Sequence, residues 1–166
     1  PINGEIMDTC GTGGDNKNSF NFSTATSIVL SSFDVKIVKH GNRSVTSKSG
    51  SFDVLESLGI KLFNNPIKVQ RFFKKHGICF LFAPFFHPTL AEVSQIRQSL
   101  LFRTIFNLLG PLLNPTNPSF QIIGVSDEKN LKTHSKCLKD QKVKKAWVVY
   151  NTNGYDELTT ISKNKF

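Results

Sequence analysis

Asp8-Thr9-Cys10-Gly11-Thr12-Gly13-Gly14-Asp15 is the stretch from which the fold and chemistry of this chain are read. It follows the run Glu5-Ile6-Met7, which can serve as a strand, and precedes Asn21-Phe22-Ser23-Thr24, which reads as a helix start. Three glycines in four residues permit positive φ and let a ligand approach the backbone closely. Successive N–H groups in such a turn form a concavity for anions, and a helix N-terminus behind it adds to that field. The natural guest is a phosphate or pyrophosphate. The spacing is neither the dinucleotide pattern nor the Walker pattern, and a glycine cluster between strand and helix is often only a tight connection. Asp15 favours a ligand, because a carboxylate beside an anion nest suits a guest that brings hydroxyls or a metal.

Outward from that loop, strand and helix alternate. Ser23 to Phe33 carries apolar residues at helical spacing with Ser23 as N-cap, and Val35 to Val38 is a β-branched strand. A long basic loop from Lys39 to Ser51 leads into a helix from Phe52 to Leu58. Asn65-Pro66 starts a helix that Gly77 ends, and Ile78 to Phe82 is the strand that follows. His87-Pro88 opens a helix to about Leu101, and Arg103 to Leu109 reads as another before Gly110-Pro111 and Asn114-Pro115 break the chain. Gln121 to Val125 is a strand, Asp127 to about Leu138 a helix, and Ala146 to Tyr150 a strand. The expected class is α/β, with a largely parallel central sheet flanked by helices. Residues 86–116 interrupt the alternation and read as part of a small helical subdomain, leaving 1–85 and 117–166 as the α/β domain. Both ends read as cut, with Ile161 to Phe166 closing on no element.

Composition narrows the possibilities. The 166 residues include 15 Phe and are 39% hydrophobic, enough for a packed core, and no apolar run approaches the length of a membrane span. No secretory leader is visible, so a cytoplasmic protein with reduced thiols at Cys10, Cys79 and Cys137 is expected. The net charge of +9 raises nucleic acid as a partner, but Lys129 to Lys145 reads as a solvated helix face without interleaved aromatics. Neither a nucleic acid nor a membrane is expected as a partner.

In parallel sheets ligands lie beyond the carboxyl ends of the strands. The glycine loop, the Lys39 loop, the Ala83–His87 turn and the Asp156-Glu157 loop all fall there. Ser23-Thr24 can cap a helix or offer hydroxyls to phosphate or metal. Lys39, His40, Asn42 and Arg43 form a cationic cluster around Gly41; for Lys39 and Asn42 the position favours ligand contact. His87 can cap a helix. Arg97 can snorkel to water or grip a carboxylate with both its nitrogens. Asp156-Glu157 can be an ordinary turn, but facing a pyrophosphate it supplies the hard oxygens that magnesium takes.

The ordered strings GTGGD with NFST, KHGNRSVTSKSGSFDVLE, FLFAPFFHP, RTIFNLLGPLLNP and GYDE resemble the anthranilate phosphoribosyltransferase family from about Asp8 to Glu157. The resemblance implies transfer of the phosphoribosyl group of phosphoribosyl pyrophosphate to anthranilate, in tryptophan biosynthesis. It implies a small helical domain over a larger α/β domain, and a homodimer. Gly11, Gly14, Asp15, Ser19, Asn21, Ser23, Thr24, Lys39 and Ser51 match positions that bind phosphoribosyl pyrophosphate. Gly11, Asn42, His87, Arg97 and Gly110 match the anthranilate side, with Arg97 on the carboxylate. Ser23, Asp156 and Glu157 match metal-contacting positions for Mg2+, in two ions, and Lys39 has an electrostatic role. No residue is expected to act as a general base.

The chain departs from the family's pattern at Ser19, where Thr is usual, and at Leu100-Leu101, where Leu-Gly is usual. It departs again at Tyr150-Asn151, where His-Gly is common. The family's N-terminal helices and the last part of its α/β domain have no counterpart in this sequence, so activity of the segment alone is in doubt. A pyrimidine nucleoside phosphorylase-like transferase and a non-catalytic nucleic-acid-binding relative are the alternatives.

Overall fold

The computed structural model describes residues 2, 4–15, 17, 19–43, 50–89 and 104–166. Six strands form one sheet: β1 (Met7–Gly11), β2 (Ile37–Gly41), β3 (Ile78–Phe82), β4 (Phe120–Gly124), β5 (Lys145–Asn151) and β6 (Asn164–Lys165). Their order is β3-β2-β1-β4-β5-β6. All neighbours are parallel except β5 and β6, which pair antiparallel. Strand order reverses between β1 and β4, which are paired directly in register, Gly11 opposite Gly124. That is the point at which open α/β sheets leave a crevice for ligands.

Alternation along the strands sorts the core. On β3, Cys79 and Leu81 join Val38 of β2 and Val69 and Phe73 of helix α3 (Pro66–His76). Ile78, Phe80 and Phe82 point the other way and pack with Ile37, and with Phe52 and Leu55 of helix α2 (Ser51–Ser57). All five residues of β3 are buried, as expected of a strand covered on both faces. A third cluster joins Ile123, Val125 and Val148 to Leu138 of the helix Asn130–Asp140. Helix α1 (Phe22–Ser31) packs on β1 and β2. Two short helices, α4 (Ala83–Phe86) and α5 (Phe106–Leu109), and a 3-10 turn over Gly110–Leu112 precede Asn130–Asp140, which is α6.

Several expectations need correction. β1 does not stop at Met7 but runs through Asp8, Thr9 and Cys10 to Gly11, and β2 carries Lys39 and His40 inside the sheet rather than in a loop. Ser23 is not the N-cap of α1: that position is Asn21, and no side chain caps it. Gly110-Pro111 continues as a 3-10 turn instead of breaking the chain, and residues near the end form β6 where no element is expected. Ala83–Phe86 is a helical turn, with His87 closing it. The helix expected from Pro88 begins at 88–89, while the rest of it, with Arg97, Leu100-Leu101 and Arg103, lies outside the described residues. Among the described residues no helix is long and apolar enough to cross a membrane. Cys10, Cys79 and Cys137 form no disulfide.

Candidate active site

Past the end of β1 the chain turns through Gly13 and Gly14 at φ +67° and +70°, where side chains are disfavoured. The nest is anchored at its root by the Thr12 N–H, which donates to the Gly124 carbonyl at 2.9 Å. The Gly13 N–H donates to Asp156 Oδ2 at 2.7 Å, so a carboxylate from the far side of the sheet already meets an amide of the anion nest. Glycine is required on both sides of this contact. A Cβ on Gly11 would lie 2.4 Å from Asp156 Oδ2, and one on Gly124 would lie 1.6 Å from the Asp156 carbonyl oxygen.

Lys39 is 1% exposed on β2. Its ammonium donates to the Thr9 carbonyl and, at 3.2 Å, to Ser23 Oγ. Ser23 stands in the first turn of α1, which is stitched to β1 by polar contacts: the Thr9 hydroxyl donates to the Ser23 carbonyl at 2.7 Å and lies 2.6 Å from Ser27 Oγ. Burial lowers the Lys39 pKa, while Asp8, Cys10 and Glu157 pull it back up. Burial is also the main reason the Glu157 carboxyl rises to about 8; Asp156 and Asp15 add to the rise and Lys39 opposes it. The buried oxygens Asp15 Oδ2 and Thr24 Oγ1 have no partner in the protein. Buried polar atoms of this kind call for an explanation, and a ligand is one.

A second group lies beside the first. The His40 and His87 rings meet edge to face, 5.1 Å apart, and His87 Nε2 lies 2.8 Å from the Leu113 carbonyl. Burial first, and then His87, lowers His40 to about 4, so its ring is neutral; a hydrogen bond with the Gly110 backbone opposes the shift. Its Nε2 is buried without a partner. Below it Asp8, fully buried, accepts from the His40 N–H at 3.4 Å and from Asn114 Nδ2 at 2.8 Å. Asn114 also donates to the Val38 carbonyl at 2.8 Å, tying the segment after α5 to the sheet. Burial raises Asp8 to about 6, against Lys39 and these hydrogen bonds.

Hydrogen bonds and electrostatic coupling thus link Ser23, Lys39, Asp156 and Glu157, with Asp15 near Glu157, Gly11 against Asp156, and His87 and Gly110 next to His40. Gly14 lies in the turn after β1 and Thr24 in the first turn of α1. Ser51 opens α2, and a Cβ on Gly41 would lie 3.9 Å from the Ser51 Cβ. Asn21 precedes α1, and Ser19 and Asn42 are exposed at the rim. Arg43 is drawn outward: it grips Glu56 through two nitrogens at 3.0 and 2.7 Å and stacks 4.7 Å from the Phe82 ring. Arg97 lies outside the described residues. The roles of Gly124, Asn114 and Asn151 are not legible in the sequence, where Asn114 reads only as part of a chain break and Asn151 only as part of a departure from the family's pattern; contacts of the folded chain give them those roles. Asp8 carried a faint signal as an acidic residue within the glycine stretch.

Residues 3–166 match the family model described as glycosyl transferase family, a/b domain. The chain belongs to this glycosyl transferase family. Within it, the anthranilate phosphoribosyltransferase of Caldicellulosiruptor saccharolyticus is 46% identical over 161 residues, 97% of this chain and 48% of that relative. The enzyme of the same name from Petrotoga mobilis is 49% identical over 162 residues, 98% of this chain and 47% of its own. Among solved structures, the Saccharomyces cerevisiae anthranilate phosphoribosyltransferase in complex with PRPP and Mg superposes with a TM-score of 0.89 at 37% identity, covering 96% of this chain and 45% of that one. The chain therefore spans about half the length of the family members it matches.

Magnesium fits the glycosyl transferase site as a shared ligand. Among the described residues no three His, Cys, Asp or Glu converge into a protein cage. Magnesium instead takes one or two carboxylates and completes its shell with phosphate oxygens and water. Asp156 and the buried Glu157, beside the glycine turn, could supply those carboxylates.

Proposed function

We propose that the full-length protein containing this chain transfers the phosphoribosyl group of phosphoribosyl pyrophosphate to anthranilate, releasing pyrophosphate, as a step of tryptophan biosynthesis. One observation carries the reading: an anion nest, a buried lysine on a serine hydroxyl and an acidic pair converge where the strand order reverses. The names of the relatives support the choice of acceptor. We further propose a cytoplasmic homodimer, with residues 86–116 belonging to a helical subdomain over the α/β domain of 1–85 and 117–166.

In the reaction the C1–O bond to pyrophosphate breaks and a bond from C1 to the anthranilate nitrogen forms, the amine giving up a proton. Gly11, Gly14 and the nest amides bind the pyrophosphate, with Ser19, Asn21, Ser51 and the unpartnered Asp15 and Thr24 oxygens taking further polar groups of the same substrate. Lys39, whose ammonium form Asp8 and Glu157 favour against burial, faces the negative charge that grows on the leaving group. Ser23, Asp156 and Glu157 would hold Mg2+, in two ions, which would supply neutralisation of the charge on the pyrophosphate. On the other side Gly11, Asn42, His87, Gly110 and Arg97 orient anthranilate, Arg97 through its carboxylate, and holding both substrates in line supplies much of the acceleration. No side chain is assigned as general base.

The test uses the full-length protein and follows loss of anthranilate fluorescence on addition of phosphoribosyl pyrophosphate and magnesium. Turnover that Asp156→Ala/Glu157→Ala abolishes, and for which Arg97→Ala needs much more anthranilate, is the expected result. A folded protein that leaves anthranilate untouched would sink the proposal; phosphate-dependent nucleoside cleavage by that protein would point to a phosphorylase instead.

A further inference from the structure

Asn151 ends β5 and is fully buried, yet its side chain serves the loop beyond the sheet. Its Nδ2 donates to Thr159 Oγ1 at 2.8 Å and to Asn164 Oδ1 at 2.9 Å, with the Ser162 carbonyl at 3.5 Å. Its Oδ1 accepts from the Asn153 N–H at 3.0 Å and the Ser162 hydroxyl at 2.6 Å. Both protons and both lone pairs of the amide are thereby used. The backbone joins in: the Asn151 N–H donates to the Tyr155 carbonyl at 3.2 Å, and its carbonyl accepts from the Gly154 N–H at 2.7 Å. Asn164 extends the network by accepting from the Thr159 N–H at 3.1 Å and donating to the Thr159 carbonyl at 2.8 Å.

These partners sit on both limbs of one loop, and the loop carries Asp156 and Glu157. Residues 152–163 contain no helix or strand of their own, so little else in the backbone ladder shapes them. A local turn made by asparagine would need only the Asn153 contact. The bonds to Thr159, Ser162 and Asn164 reach past the acidic pair and close the loop around it. On its other side Asp156 abuts the notch left by Gly11 and Gly124.

We infer that Asn151 is a positioning residue for the acidic pair: its side-chain amide holds loop 152–163 so that Asp156 and Glu157 face the glycine nest before a ligand arrives. The inference rests on the phosphoribosyl-transfer reading, in which that pair holds the metal. Residues behind metal ligands typically matter about 10- to 100-fold for metal affinity.

The test titrates Mn2+, as a spectroscopic probe for magnesium, into the full-length protein with phosphoribosyl pyrophosphate present. Wild type, Asn151→Ala and the peripheral Ser162→Ala are compared by electron paramagnetic resonance of the unbound ion, and hydrogen exchange of 152–163 is followed in the same samples without ligand. Expected are about tenfold or greater weakening of Mn2+ binding in Asn151→Ala, a smaller loss in Ser162→Ala, and faster exchange confined to the loop. Unchanged Mn2+ affinity in a folded Asn151→Ala would overturn the inference. If that variant does not fold, Ser162→Ala decides: affinity equal to wild type counts against the proposal. A wild-type protein that binds no Mn2+ would overturn the transferase reading itself, and the metal role of Asn151 with it.

Discussion

At Gly124 the backbone oxygen of Asp156 occupies the place of a side chain, 1.6 Å from where a Cβ would stand. Neither neighbour can yield cheaply, because Gly124 is paired to β1 and β5 and Asp156 is held by the nest. Gly124→Ala is expected to cost about 1–3 kcal/mol or more, read from urea unfolding, and to weaken pyrophosphate binding. Gly110, with open space around its missing Cβ, is the contrast: alanine there is expected to leave stability within about 0.5 kcal/mol. The buried pair Asp8 and His40 gives a pH prediction. Asp8, raised from 3.8 to about 6, holds its proton in the fold after the unfolded chain has lost it. Its contribution is present at low pH and is lost as pH rises through about 6. His40, lowered from 6.5 to about 4, is neutral where the unfolded chain is protonated, and that cost is relieved as pH rises from about 4 to 6.5. The two slopes oppose each other, each at about 1.4 kcal/mol per pH unit. Relative to wild type, Asp8→Asn should therefore gain stability as pH rises from about 4 to 6, and His40→Gln should lose it over about 4 to 6.5. Urea midpoints across that range check both signs; parallel curves for wild type and Asp8→Asn would refute the assignment.

Helix α3 shows how an element can be written locally. Asn65 accepts from the Ile67 and Lys68 N–H groups at 2.9 and 3.2 Å, Pro66 starts the helix, and Gly77 ends it at φ +70°. Asn65→Ala should cost about 1 kcal/mol in chemical unfolding and leave metal and pyrophosphate binding as in wild type, because the cap lies away from the nest. A fall in pyrophosphate affinity with that variant would contradict the separation of scaffold and site. The same helix and β3 were legible in the sequence because their signals, cap, proline, glycine and an apolar run, are all local. β1 and β2 were less so. Their polar second halves, Asp8 to Gly11 and Lys39 to Gly41, enter the sheet only because Asn114, Ser23 and Thr9 satisfy them across long stretches of chain. Alternation of strand and helix was enough for the parallel sheet, since it requires only the period of each segment. The glycine nest and the acidic pair were legible as candidates from residue type. Their hydrogen bond and the two glycines that make room for it were not, since they depend on register between distant strands. Nor was the Asn151 hub, whose partners are nearby residues brought together only by the path of an irregular loop.

At the scale of the whole chain, the described residues expose apolar side chains in groups. Phe20, Val29 and Phe33 are 67, 54 and 73% exposed on and around α1, and Trp147 and Phe166, stacked 6.5 Å apart, are 53 and 87% exposed beside β5. Exposed apolar surfaces of this extent mark places where something else packs, and the chain spans only about half the length of its relatives. The segment on its own should therefore bind a hydrophobic dye and self-associate with rising concentration, and the full-length protein should do neither. Sedimentation of both, with acrylamide quenching of Trp147 in the segment, separates the outcomes. A monodisperse segment that binds no dye would mean that these side chains are tolerated in water, and would remove the reason to expect the remaining half of the protein to lie over α1 and β5.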